Sequence, residues 1–158
     1  MVDASWKNQA DGDWLITGNW TTGTVPASHD DVPLGLSGGY TVTVGAPAAA
    51  ESIAITNPAA VLRLHASTLT VGGALTNSGG INLDFDGFSG GSTLAVGGVL
   101  TNANTLRIGS GNGYGALVAP ATVTADALAN TGNIAIAGSD AARALLDIGG
   151  AAGTGTVG

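Results

Sequence analysis

The sequence predicts an all-β protein: a parallel β-helix (β-solenoid) of about five coils of 25–28 residues behind an aromatic-rich N-terminal cap. Three observations lead there. The phrase Leu69-Thr70-Val71-Gly72-Gly73-Ala74-Leu75-Thr76-Asn77 returns as Leu94-Ala95-Val96-Gly97-Gly98-Val99-Leu100-Thr101-Asn102, and more loosely over Ala121–Asn130. Asn77, Asn102 and Asn130 stand 25 and 28 residues apart, each followed at a fixed distance by an alternating apolar pair: Ile81/Leu83, Leu106/Ile108 and Ile134/Ile136. Period-2 alternation bounded by Gly, Asn or Pro recurs throughout, with almost no helical periodicity. A unit this short cannot bury its own apolar residues, so it must stack on its neighbours.

Taken in order, residues 1–39 form the cap, because all three tryptophans (Trp6, Trp14, Trp20) lie there and large aromatics can close the first coil of a chain poor in bulky side chains. The repeats occupy residues 40–158. Strands are expected at 40–44, 52–55, 61–64, 68–71, 80–85, 93–96, 105–108, 121–124 and 133–136. Spacings of 27 residues from Val44 to Val71 and 28 from Ile53 to Ile81 carry the same period upstream. Leu69 and Val71 point inward and Thr68 and Thr70 outward, since strand side chains alternate faces. Gly72-Gly73 turns one corner. Asn77, Asn102 and Asn130 mark a second, where stacked amides can form a hydrogen-bonded ladder. Residues 140–146, with Ser139 or Asp140 as N-cap, read as a short helix, or 144–148 as a further strand that ends in Ile148-Gly149-Gly150, a restatement of Val71-Gly72-Gly73. The last residues stop in mid-pattern. Exposed strand edges are normally covered, so either more chain or a second copy stacked head to tail is expected there.

Composition narrows the function classes. Of 158 residues, 27 are Gly and only 9% are charged, while 44% are hydrophobic, unlike either an ordinary enzyme or a disordered chain. The net charge is −7, with Lys7, Arg63, Arg107 and Arg143 the only fixed cations, so counterion-driven binding to nucleic acid or an anionic membrane is not expected. Without cysteine there is no disulfide framework and no thiolate chemistry. Residues 1–6 lack a basic and an apolar signal region, and no apolar run is long enough to span a bilayer, so no membrane insertion is expected.

The order Gly12-Asp13-Trp14, Gly18-Asn19-Trp20, Gly23, Val25-Pro26 and Asp30-Asp31-Val32 resembles the opening of bacterial surface and secreted β-helix proteins, among them autotransporter passenger domains and filamentous-haemagglutinin-like adhesins. The resemblance implies a β-helical stalk that displays or constitutes an adhesive surface, outside the cell or on its surface. A protein or glycan surface would then be its partner.

Candidate sites are few. Asp84 and Asp86, read as sharing an outer face opposite an inward Phe85, with Arg107 one coil later in place of Asn82, offer a cation site, Ca²⁺ being the ion such oxygen ligands suit. On β-helix polysaccharide lyases such acids and an Arg act together, which makes a lyase or hydrolase the enzymatic alternative. Asp11, Asp13, His29, Asp30 and Asp31 offer a second cation cluster if the cap brings them together. No Gly-x-Ser-x-Gly elbow, Walker loop or His-Glu-x-x-His occurs, so an enzyme is not the expectation and no cofactor beyond Ca²⁺ is implied. Phe88 and Tyr114, on loops in corresponding places of successive coils, are the candidate contact residues for a sugar or protein partner. Trp14, Trp20, Asn77, Asn102 and Asn130 are expected to be structural. The reading is thus a structural or adhesive module, with a self-assembling filament subunit as the other alternative.

Overall fold

The computed structural model describes residues 2–86, 90–111, 115–153 and 156–157. Each coil carries three strand positions, and every strand-to-strand pairing is parallel. The first position holds β4 (Ala48–Ala50), β7 (Thr68–Val71), the first half of β10 (Thr93–Asn102), the first half of β12 (Ala121–Asn130) and β14 (Ala144–Ile148). The second holds β2 (Asp31–Leu34), β5 (Ser52–Ile55), β8 (Leu75–Asn77), the second halves of β10 and β12, and β15 (Ala151–Gly153). The third is a separate sheet of β1 (Gly12–Asp13), β3 (Tyr40–Val44), β6 (Ala60–Leu64), β9 (Gly80–Leu83), β11 (Thr105–Gly109), β13 (Asn133–Ala137) and β16 (Thr156–Val157). Four full turns separate β3 from β13, and a fifth follows. The chain is a β-solenoid.

In-register stacking lines the inside with columns of like side chains. At the third position Val42, Leu62, Ile81, Leu106 and Ile134 lie one above another, beside Val44, Leu64, Leu83, Ile108 and Ile136. Leu69, Leu94 and Val123 do the same at the first position, and Ile53, Leu75, Leu100 and Leu128 at the second. All but Ile136 are buried, and most have no exposed surface. At about 25 cal/mol per Å² of apolar surface, these columns are the main favourable term. The outward neighbours Thr68, Thr70 and Thr76 are exposed.

The period differs from the expected one. Val44 pairs with Leu64, not Val71, and Ile53 with Leu75, not Ile81, so the upstream coils are only 19–22 residues long. The reason lies at one corner. Between the third and first positions the chain uses three residues (65–67) in the short coil, but nine (84–92) and eleven (110–120) in the next two. Strands keep their length while this connection grows, so loops are added on one edge without disturbing the stack.

Gly72-Gly73 bends the chain between the first two positions, whereas β10 and β12 run through the same corner as single strands. The Gly97-Gly98 pair opposes the single Asp126, a bulge in the ladder. Glycine is required by close approach: a Cβ on Gly97 would lie 2.5 Å from the Gly72 carbonyl oxygen. Residues 140–143 are not helical, and the strand reading holds over Ala144–Ile148. The Ser139 hydroxyl still caps, accepting from Ala141 N at 3.2 Å and Ala142 N at 3.1 Å, but it closes a turn.

The cap is built on the stack. β1 adds a rung to β3, and β2 already belongs to the second position, so the ladder begins inside residues 1–39. Trp20 packs edge-on against Trp6 and Trp14, with centroids 5.0 and 4.8 Å apart, and Trp6 stacks on Tyr40 at 6.3 Å. The Trp20 indole N–H donates to the Trp14 carbonyl at 2.6 Å. Among the described residues the buried Trp14 Nε1 has no hydrogen-bond partner, and the buried Tyr40 hydroxyl has none of good geometry, only the Leu36 backbone close by. Burial pushes the Tyr40 phenol above its ordinary value, opposed by the nearby backbone of Leu36.

Candidate functional site

Asn77, Asn102 and Asn130 form a buried ladder at the second corner. Asn77 Nδ2 donates to Asn102 Oδ1 at 2.8 Å, and Asn102 Nδ2 to Asn130 Oδ1 at 2.7 Å. The same amides reach the backbone: Asn77 Nδ2 donates to Thr105 O at 2.9 Å, Asn102 Nδ2 to Asn133 O at 3.2 Å, and Gly79 N to Asn77 Oδ1 at 3.1 Å. Their polar groups are spent inside the rod. Upstream, Asn57 does equivalent work, donating to Leu36 O and Gly38 O and accepting from Ala59 N. It lies two residues past the Asn77 column, so the repeat did not reveal it.

Residues 84–86 depart from the expected orientation. Strand alternation stops at Leu83, because Asp84 takes a left-handed conformation (φ +51) that Asp tolerates better than most residues. The turn inverts the predicted faces. Asp84 is buried, 1% exposed, while Phe85 and Asp86 are half-buried at the surface. Asp84 Oδ1 accepts from the Ser92 hydroxyl at 2.7 Å and Ala66 N at 3.0 Å, and Oδ2 from Ser92 N at 2.9 Å. A buried carboxylate needs such partners. Asp84 thus clasps the neck of the 84–92 loop to the coil below, where Ser67 N donates to Ser92 Oγ at 3.2 Å and Ser67 Oγ to Val44 O at 2.6 Å. The recurrence of Ser67-Thr68 as Ser92-Thr93 was the available signal for this contact.

Asp86 turns instead to His65, Oδ2 to Nδ1 2.9 Å. Arg107 does stand where Asn82 does one coil earlier, as expected, but its guanidinium lies over the Phe85 ring, 5.1 Å from the centroid. The three groups proposed to act together are thus engaged in three different ways. In the cap, Asp11 accepts from Thr41 N, Asp13 from Leu15 N, Asp30 from Ala27 N and Asp31 from the Ser52 hydroxyl, each securing a turn or a rung. Among the described residues no three His, Cys, Asp or Glu side chains are grouped to hold a metal ion. Nor is any helix among them long and apolar enough to cross a membrane. Phe88 and Tyr114 lie outside the described residues.

Beside Phe85 and Arg107 the surface opens into a groove of about 270 Å³, lined also by Gly109, Ser110, Ala135 and Ala137. Phe85 is inward in the strand expected over 80–85, which runs two residues past the observed end at Leu83. Glycine makes the groove. Gly109 has φ +89, and a Cβ there would lie 2.1 Å from the Ala137 carbonyl oxygen, while a Cβ on Gly111 would lie 2.4 Å from the Phe85 ring.

No family model, curated protein or solved structure matches the chain.

Proposed function

We propose that the chain is a structural and adhesive module of a bacterial cell-surface or secreted protein, a rigid β-solenoid that presents its outer faces and one edge of loops to a partner. One observation carries this reading. The buried hydrogen-bonding side chains Asn77, Asn102, Asn130 and Asp84 are spent on holding rungs and loop necks in register, while insertions accumulate at a single corner. A scaffold that tolerates loops on one edge at constant core geometry suits display. The resemblance of residues 12–32 to secreted β-helix proteins supports an extracellular setting.

The test is retention of beads coated with the chain on a panel of immobilised glycans and extracellular proteins. The reading expects retention on a defined subset, kept by Thr76→Lys at the second strand position, which does not adjoin that corner, and lost when residues 85–91 and 110–119 are shortened to the three-residue connection of the upstream coil. No retention on any surface, or equal retention by the folded loop-shortened variant, would refute it.

A further inference from the structure

Lys7, Arg63 and Arg143 are exposed, as solvated cations usually are; Arg107 alone among the four is half-buried. Among the described residues it makes no ion pair or hydrogen bond and instead sits over the Phe85 ring. Yet acids outnumber fixed cations eleven to four in this chain, so a carboxylate partner for the guanidinium would have been in supply. A cation over the ring face is attracted by the ring's quadrupole and needs no hydrogen bond to hold it there, so the guanidinium N–H groups remain able to grip a carboxylate with two parallel bonds. Gly111 packs close to that ring, which leaves no room there for a larger side chain: a Cβ on Gly111 would lie 2.4 Å from it. An aromatic, an unpaired planar cation and small lining residues therefore meet at one groove.

We infer that this groove binds a carboxylate-bearing sugar ring, a uronate of an acidic saccharide. Its volume of about 270 Å³ lies just below the roughly 300–1,000 Å³ typical of pockets for drug-sized ligands, so it suits one small ring. Charge complementarity selects an anion, and the small residues Ala135 and Gly109 beside an aromatic leave room for a sugar ring. Asn82 precedes Arg107 in the same column, with the exposed Arg63 beyond it. That column leads along the rod, the direction a longer saccharide would follow. The inference rests on the adhesive reading and names the ligand class for one part of its surface.

The test is calorimetric titration of the whole chain with short galacturonic acid oligomers and with uncharged galactose oligomers of equal length. Binding of the acidic oligomer only, weakened at least tenfold by Arg107→Gln and by Phe85→Leu with unchanged melting midpoints, is expected. Arg107→Lys keeps the charge without the fork and should also weaken binding. Gly111→Ala, which displaces the ring without touching Arg107, should do the same. Arg63→Gln removes an equal charge from the same column and should change affinity less than threefold. Equal binding of the neutral oligomer, no effect of Arg107→Gln, or an equal loss from Arg63→Gln would overturn the proposal. Bead retention on other surfaces without uronate binding would remove this site and leave the adhesive reading standing.

Discussion

Replacing Asn102 with leucine, a side chain of similar size, removes the middle of the amide ladder. Asn102 accepts from Asn77 Nδ2 at 2.8 Å and donates to Asn130 Oδ1 at 2.7 Å and Asn133 O at 3.2 Å, all with no exposure at its own position. Asn77 Nδ2 keeps its bond to Thr105 O but is left with one N–H unpaired, and Asn130 Oδ1 loses its side-chain donor. Two stranded buried groups at about 1–3 kcal/mol each give a loss of about 4 kcal/mol, a large share of the 5–15 kcal/mol typical of a domain. Urea unfolding followed by circular dichroism reads this as a shift in midpoint. The Asn77→Leu/Asn102→Leu double variant should lose less than the sum of the singles by at least about 1 kcal/mol, because the two side chains are each other's partners. Thr101→Ala, one residue away and facing outward, should stay within about 0.5 kcal/mol. A loss below about 1 kcal/mol for Asn102→Leu would refute the ladder as a stabilising element.

Other perturbations follow from the same geometry. Asp84→Ala strands the Ser92 N–H, the Ser92 hydroxyl and the Ala66 N–H and puts alanine at φ +51, so a loss of about 4 kcal/mol and faster amide exchange at Ala66 and Ser92 are expected; unchanged exchange would contradict the clasp. Leu100→Asp places an unpaired charge among fully buried leucines and should abolish the folded strand signal, whereas retention of the melting temperature would mean the in/out register is wrong. Tyr40→Phe should leave stability unchanged or raised, since the hydroxyl it removes is buried with no well-formed hydrogen bond among the described residues. The Tyr40 phenol is raised in the folded state, so its contribution is fully present below the unfolded value near pH 10 and is lost as pH climbs from there towards the folded value. Alkaline unfolding should therefore be less steep in Tyr40→Phe, and identical pH profiles would refute that role.

Most of the fold was legible because stacking in register forces like residues to recur. Asn77, Asn102 and Asn130 are neighbours in space as in spacing, and Ala144–Ile148 forms its strand where the repeat predicts it. The upstream coils were misaligned because a fixed period was carried into a region where Leu62 to Ile81 is only 19 residues. Coil length is set by one variable corner, not by the core, so apolar columns constrain registry while leaving period free. The site was less legible. Alternation past Leu83 assigned Asp84 outward and Phe85 inward, and a single left-handed residue reversed both. Nothing local in the sequence marks that turn, because Asp84 is held by Ser92 and Ala66, which adjoin it only once the coils are stacked.

The stack itself is best tested by a distance. The chain has no cysteine, so nitroxide labels on Thr41→Cys and Asn133→Cys report on one outward column, Thr41, Val61, Gly80, Thr105 and Asn133. Four rungs at about 4.8 Å set these backbones about 19 Å apart. A narrow pulsed-dipolar distribution centred near that separation, allowing for the label arms, is predicted; a broad distribution, or a mean displaced by two rungs or more, would contradict the solenoid register on which every argument above depends.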